Sequence, residues 1–179
     1  MDGERNKIEL MIKIINENNI QKKDEVLYSE WVPAGRFVKI IVLFVFLLIF
    51  SLGIVSTAFL PIEVAFIGFI LGAVSFFIFL MYWNYRGLKI TLTRNQLEIA
   101  YGIFNHKKFS LQEITSCDIT KAHFRTYGGV GIRFGLDGSW AYNTDFGEAV
   151  KLTFQYGRSF VFSTRNPQEI CTLINELSK

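Results

Sequence analysis

Cysteine and histidine each occur only twice in 179 residues, and proline only three times. Two cysteines, Cys117 and Cys171, cannot build the disulfide framework that holds small secreted domains together, so reduced thiols are the expected state. His106 and His123, with no Cys or His partner at ligand spacing, give no basis for a zinc site. The cluster Cys117, Asp118 and His123 invites comparison with a Cys/His nucleophile pair. Neighbouring residues of a strand face opposite sides, however, and a buried cysteine more often serves packing. No GxSxG, Walker or HExxH pattern occurs. The expectation is therefore a protein that is not an enzyme, with no catalytic residue, no metal and no cofactor.

Charge is also scarce. Only 20% of residues are Asp, Glu, Lys or Arg, against 50% hydrophobic and 16% aromatic, and the mean hydropathy is +0.28. That balance excludes a disordered chain. The shortage is concentrated in one place, because residues 37–83 hold only Lys39 and Glu63. Residues 1–36 have a net charge of −1 and residues 84–179 of +4. A mild +4, with aromatics at positions expected to face a core, does not amount to a nucleic-acid surface.

Inside the poorly charged region, residues 40–60 read IIVLFVFLLIFSLGIVSTAFL and residues 64–83 read VAFIGFILGAVSFFIFLMYW. A helix of either length spans about the 30 Å of a bilayer's hydrocarbon core. Neither run has the polar face that a helix of a soluble protein shows. Pro61 breaks the apolar stretch, which predicts a membrane hairpin within residues 37–84. A secretory signal would lie at the extreme N-terminus and be shorter, so no cleavage is expected. Arg36 and Lys39 precede the first span and Arg86, Lys89 and Arg94 follow the second, which predicts a multi-pass protein of the cell membrane with both termini cytoplasmic. Trp31, Tyr82, Trp83 and Tyr85 stand where interfacial aromatics belong. Gly68 and Gly72 form a GxxxG that serves either self-association or packing of the hairpin on itself, the second being favoured because the sibling helix is adjacent.

Before the spans, residues 1–36 form a separate segment in which Ile8, Met11, Ile12 and Ile15 recur at helical spacing, predicting a short amphipathic helix. It could dock on the rest of the chain, on lipid or on a partner. After the spans, residues 85–179 alternate with period two. Strands are predicted at 89–93, 97–101, 106–111, 114–120, 130–134, 140–143, 150–155 and 158–163, with turns at Arg94-Asn95 and Tyr156-Gly157. Gly128, Gly129 and Gly131 precede a strand rather than a helix, so they read as a turn or bulge with positive φ and not as a phosphate loop. Asn166 as cap, Pro167 at the first position and Glu169 three residues after the cap open a final helix. Its stripe is Ile170, Leu173, Ile174 and Leu177. The fold class expected is a membrane helical hairpin plus a mainly-β domain, an antiparallel barrel or sandwich capped by a C-terminal helix.

Several segments carry a resemblance. They are Leu27-Tyr28-Ser29-Glu30-Trp31-Val32-Pro33, Tyr127 to Arg133, Trp140 to Tyr142, Gly157-Arg158, and Ser163-Thr164-Arg165-Asn166-Pro167 before the closing helix. In this layout the chain resembles prokaryotic membrane proteins that carry a pleckstrin-homology-like barrel behind two transmembrane helices. The resemblance implies an interaction or scaffold module at the cytoplasmic face, with a protein or lipid partner and no catalytic residue. The basic groups available for such contact are Lys107, Lys108, Arg125 and Arg133, each able to contribute about 1 kcal/mol near an anionic leaflet. The dense basic cluster of phosphoinositide-binding loops is missing around Lys89 and Arg94. The alternative expectation is a small subunit of a membrane transport or envelope-stress complex that assembles through Gly68 and Gly72.

Overall fold

The computed structural model of the protein describes residues 25–59 and 61–178. The amphipathic helix expected around Ile8 to Ile15 lies outside them. The chain begins with strand β1 (Val26–Pro33) and turns at once into helix α1 (Arg36–Phe59); helix α2 (Ile62–Asn84) returns and passes directly into β2 (Gly87–Thr93). Then follow β3 (Gln96–Tyr101), β4 (Asn105–Ser110), a single 3-10 turn, β5 (Ile114–Ala122) and the short helix α3 (Phe124–Tyr127). The chain finishes with β6 (Gly131–Phe134), β7 (Trp140–Asn143), β8 (Gly147–Phe154), β9 (Phe160–Ser163) and helix α4 (Pro167–Leu177).

Both long helices are apolar and long enough to cross a membrane. They place their large side chains outward: Phe37, Ile40, Phe44, Phe69 and Phe76 are all exposed. The buried positions are small. On α1 they are Gly53 and Ser56, and on α2 they include Gly68 and Ser75. These residues let the backbones close on each other, as small residues do in helix pairs that have no hydrophobic drive between them. A β-carbon placed on Gly68 would press on Thr57 and sit 2.7 Å from the Gly53 carbonyl oxygen, whereas one on Gly72 would meet nothing within 4 Å. The Ser75 hydroxyl donates to the Phe46 carbonyl on α1 at 3.5 Å.

The strands form two sheets, ordered β1-β2-β3-β4 and β5-β8-β9-β7-β6. The first is wholly antiparallel. In the second, β7 pairs with β9 in parallel, through Trp140↔Phe160 to Tyr142↔Phe162. Of the expected antiparallel barrel or sandwich, the closed barrel is corrected: the strands form two packed sheets, and the second is mixed rather than antiparallel. They stay open because, among the described residues, no strand pairs with the outer edge of β4 or of β6. The expected division at residue 36 is corrected as well: Val26–Pro33 belongs to the β unit, where β1 pairs with β2 from Val26↔Thr93 to Pro33↔Gly87. The hairpin is therefore an insertion between two neighbouring strands.

One core fills the space between the sheets, with Leu88, Ile90, Leu97, Ile99, Val150 and Phe162 entirely out of solvent. Helix α4 lies on β5 and β8 and buries Ile170 and Ile174 in that core. Pro167 opens the helix as expected, but the expected cap is corrected, since Asn166 makes no side-chain cap hydrogen bond. The expectation of free thiols is also corrected. Cys117 on β5 and Cys171 on α4 form a disulfide, their Cα atoms 5.2 Å apart. Packing of helix on strand creates that proximity, which lies within bridging range. Beside it Asn175 accepts from the Cys117 N–H at 3.1 Å and donates to the Cys117 carbonyl at 3.2 Å. The edge of β5 is thereby covered by a helix side chain that mimics a neighbouring strand.

Glu30 locks β1 to the far side of the β unit. Its carboxylate accepts from the Thr164 hydroxyl at 2.6 Å, the Arg165 N–H at 2.9 Å and the Tyr28 hydroxyl at 2.9 Å. Glu30→Ala is expected to lower unfolding stability of the β unit by about 1–3 kcal/mol, read from the denaturant midpoint; an unchanged midpoint would remove Glu30 from this role. In the hairpin, Gly68→Leu should cost about 1–3 kcal/mol through overpacking while Gly72→Leu is tolerated, and equal melting of the two variants in detergent would contradict the observed helix contact.

Candidate functional site

The residues between strands and helices form a neck. The Ala34 N–H donates to the Arg86 carbonyl at 2.8 Å, and the Gly35 N–H donates to the Thr144 carbonyl at 2.9 Å. A side chain at position 35 would run into the Asp145 carboxylate that lies against the start of α1, so that carboxylate would have to swing away. On the other side the Asn84 side-chain oxygen accepts from the Ile103 N–H at 2.8 Å, and the Tyr85 hydroxyl accepts from the Asn105 side-chain amide at 3.0 Å. Both helix ends are thus hydrogen-bonded into the β unit, and Arg86 stacks 4.5 Å over the Trp83 ring.

From the neck a chain of rings runs into the core: Tyr85 to Tyr101 (5.4 Å), Tyr101 to Tyr142 (6.0 Å), Tyr142 to Phe160 (5.0 Å) and Phe160 to Phe109 (4.9 Å). Two clefts flank these rings. One, of about 510 Å³, lies between the hairpin base and the start of β6, bounded by Val42, Met81, Tyr85, Tyr101, Ile132 and Arg133. The other, of about 520 Å³, is the open seam between the sheets. Phe109, Ile132, Trp140, Tyr142 and Phe160 line it, with Lys107 and Arg158 at its polar margin. Ile132 borders both clefts.

The register explains how β4 equips this groove. Lys107 pairs with Ile99, whose side chain is in the core, while Lys108 pairs with the outward Glu98. Lys107 therefore shares the inner face with Asn105 and Phe109, whereas Lys108 makes a 3.6 Å ion pair with Glu98 on the outer face. Among the described residues Lys107, Arg133 and Arg158 have no carboxylate partner. Arg133 donates to the Val130 carbonyl at 3.0 Å, and Arg158 stacks 5.0 Å over Phe134. Arg125 stands apart, in α3 beside the exposed Phe124. The four basic residues singled out in the sequence thus occupy four different settings. The Cβ direction of Gly68 points into the helix contact, whereas that of Gly72 is open although its backbone lies near Gly53. The groove's aromatic floor and Arg158 were not marked as a site in the sequence, since each residue alone reads as core or turn.

Among the described residues no group of three or more His, Cys, Asp or Glu could hold a metal ion. What the groove can do chemically is bind: aromatic area for apolar side chains, two unpaired cations for carboxylates, and two sheet edges with main-chain groups to share. Compared with known proteins, the chain matches no family, no curated protein and no solved structure.

Burial governs the phenols between the two clefts. Desolvation, reinforced by the neighbouring Tyr85, pushes Tyr101 up to about 12, and the same two causes raise Tyr142. A raised pKa holds Tyr101 neutral, so its contribution to stability is complete below pH 10 and is lost as pH rises towards 12. Ultraviolet titration should accordingly show a late-ionising phenol that is missing in Tyr101→Phe. A spectrum in which all phenols ionise together near pH 10 would contradict the buried ring stack.

Proposed function

We propose that the protein is a membrane-anchored interaction module. In this reading α1 and α2 cross the bilayer as a hairpin, and the β unit, held at the membrane surface, binds an extended segment of a partner protein in the seam between β4 and β6. The observation that carries it is that open seam. Both bordering strands are sheet edges, so an added strand would find main-chain partners there, while the aromatic floor accepts every second side chain. Lys107 and Arg158 favour a segment bearing carboxylates. Two sheets with a helix over one end support a pleckstrin-homology-like ancestry for the β unit; the open seam and the parallel β7–β9 pair are where it departs.

Exposed apolar surface on both helices supports the membrane setting, since soluble proteins rarely show patches of that extent. Arg36, Lys39, Arg86, Lys89 and Arg94 at the charged end support cytoplasmic termini. One observation favours the opposite orientation: a Cys117–Cys171 disulfide persists more readily on the oxidising side. Protease added to intact cells decides between them, sparing a cytoplasmic β unit and removing an external one. The transport or envelope-stress alternative draws support from Gly72, whose Cβ direction meets nothing within 4 Å and so leaves room for a second helix. A fall in the mass of the native complex on Gly72→Leu would favour it.

The test of the binding reading uses a photoreactive residue in place of Trp140, inside the groove, and of Tyr156, on the β8–β9 turn. A discrete protein adduct is expected at 140 and not at 156, and it should disappear when Lys107 and Arg158 are both changed to Glu. Adducts that ignore those charges, or none in native membranes, would reject the groove as the partner site.

A further inference from the structure

The β unit exposes four large apolar side chains beside the neck, two at each helix exit. Ile103 and Phe104, 70% and 77% exposed, form the β3–β4 turn. That turn is tied to the end of α2 by the Ile103 N–H to Asn84 bond at 2.8 Å, and Gly102 lies directly against the Asn84 side chain. Phe124 and Phe146, 66% and 44% exposed, pack edge to face at 5.8 Å. Phe146 follows Thr144 by two residues, and the Thr144 carbonyl receives the Gly35 N–H just before α1 begins. Neither pair belongs to a hydrophobic core.

Their height relative to a bilayer follows from the helices. The uncharged part of α1 starts at Ile40 and that of α2 ends at Trp83, so the edge of the hydrocarbon passes close to Lys39 and Trp83. Asn84 is the next residue, which puts the Ile103-Phe104 turn at the level of the headgroups and the upper acyl chains. The Gly35–Thr144 bond brings the Phe124–Phe146 pair to the same end of the β unit. Arg36, Arg86 and Arg125 stand among these residues, with Asp145 and Glu148 near Arg36. Apolar tips with cations between them suit the boundary of an anionic leaflet, where amphipathic surfaces insert by about 5–10 Å.

We propose that Ile103, Phe104, Phe124 and Phe146 form a bilayer-docking face, so that the β unit sits on the lipid that the hairpin crosses and presents its seam at a set height. The occupant is lipid, because the two pairs flank the exits of the two apolar helices, at the level where the uncharged stretches end and with Arg36, Arg86 and Arg125 between them. The inference rests on the membrane reading above. The seam stays accessible in this arrangement, since Trp140 and Phe134 lie at the ends of β7 and β6 away from the neck.

The experiment places p-benzoylphenylalanine at Phe104, at Phe124 and, as a control, at Tyr156 in the full-length chain in vesicles of mixed zwitterionic and anionic lipid. Tyr156 is 90% exposed but follows the eight residues of β8, about 25 Å of strand from the neck. Irradiation should give lipid adducts at 104 and 124 roughly tenfold above those at 156, because only the first two reach the acyl boundary. Retention of the Cys117–Cys171 bond verifies that each variant has folded. Equal yields at the three positions, or intramolecular adducts joining 104 or 124 to residues 1–24, would overturn the docking face. Alkaline extraction of the same vesicles separates the two failures. A protein that stays with the lipid but gives no adduct refutes docking alone, and one that is released refutes the membrane reading as well.

Discussion

The hydrogen-bonded pairing of β1 with β2 is the constraint on which the architecture depends. These strands are 54 residues apart at their closest register pair, Pro33↔Gly87, yet lie side by side because the two apolar helices between them form a closed hairpin. Closing so long a connection has an entropic cost that grows slowly with length, and the helix contact through Gly53, Gly68 and Ser75 removes much of it by bringing the ends together in advance. The reverse also holds, because β1–β2 pairing holds the bases of α1 and α2 at one point. Hairpin and β unit therefore act as one body, joined by the Ala34–Arg86 and Gly35–Thr144 hydrogen bonds rather than by a linker.

This rigidity gives the open seam its importance. The core is closed at one end by α4, with the Cys117–Cys171 bridge and the Asn175 side chain covering the free edge of β5. At the other end the outer edges of β4 and β6 stay open among the described residues, and an inward lysine at 107 stands over aromatic rings. An inward charge on an edge strand guards against uncontrolled strand pairing. The same charge selects what is allowed to pair, so protection and recognition are compatible in one side chain. The ring chain from Tyr85 to Phe109 links this seam to the neck, and Ile132 borders both clefts.

How much of this was legible depended on whether the signal was local. The period-two runs at Lys89–Thr93 and Leu97–Tyr101 mark β2 and β3 to within a residue or two, and Pro167 marks the first residue of α4. The break at Pro61 is equally plain. In contrast, the membership of Val26–Pro33 in the first sheet, the parallel β7–β9 pair and the disulfide all depend on residues far apart in sequence. Cys117 and Cys171 are separated by 54 residues, and no spacing rule brings them together. The groove was illegible for the same reason: Phe109, Tyr142 and Phe160 each have the pattern of a core residue, and only the gap between sheet edges makes them a surface.

By itself, the order of residues determined where the chain is apolar throughout, where it alternates and where it turns, because those properties follow from side-chain hydropathy and backbone preference over a few neighbours. Only the tertiary structure decided that the two helices interrupt a sheet instead of preceding it, that the sheets stay open between β4 and β6, and which basic groups keep their charge unpaired. Pairing partners across 30 to 130 residues are chosen by the joint packing of the core, and that choice has no local signature.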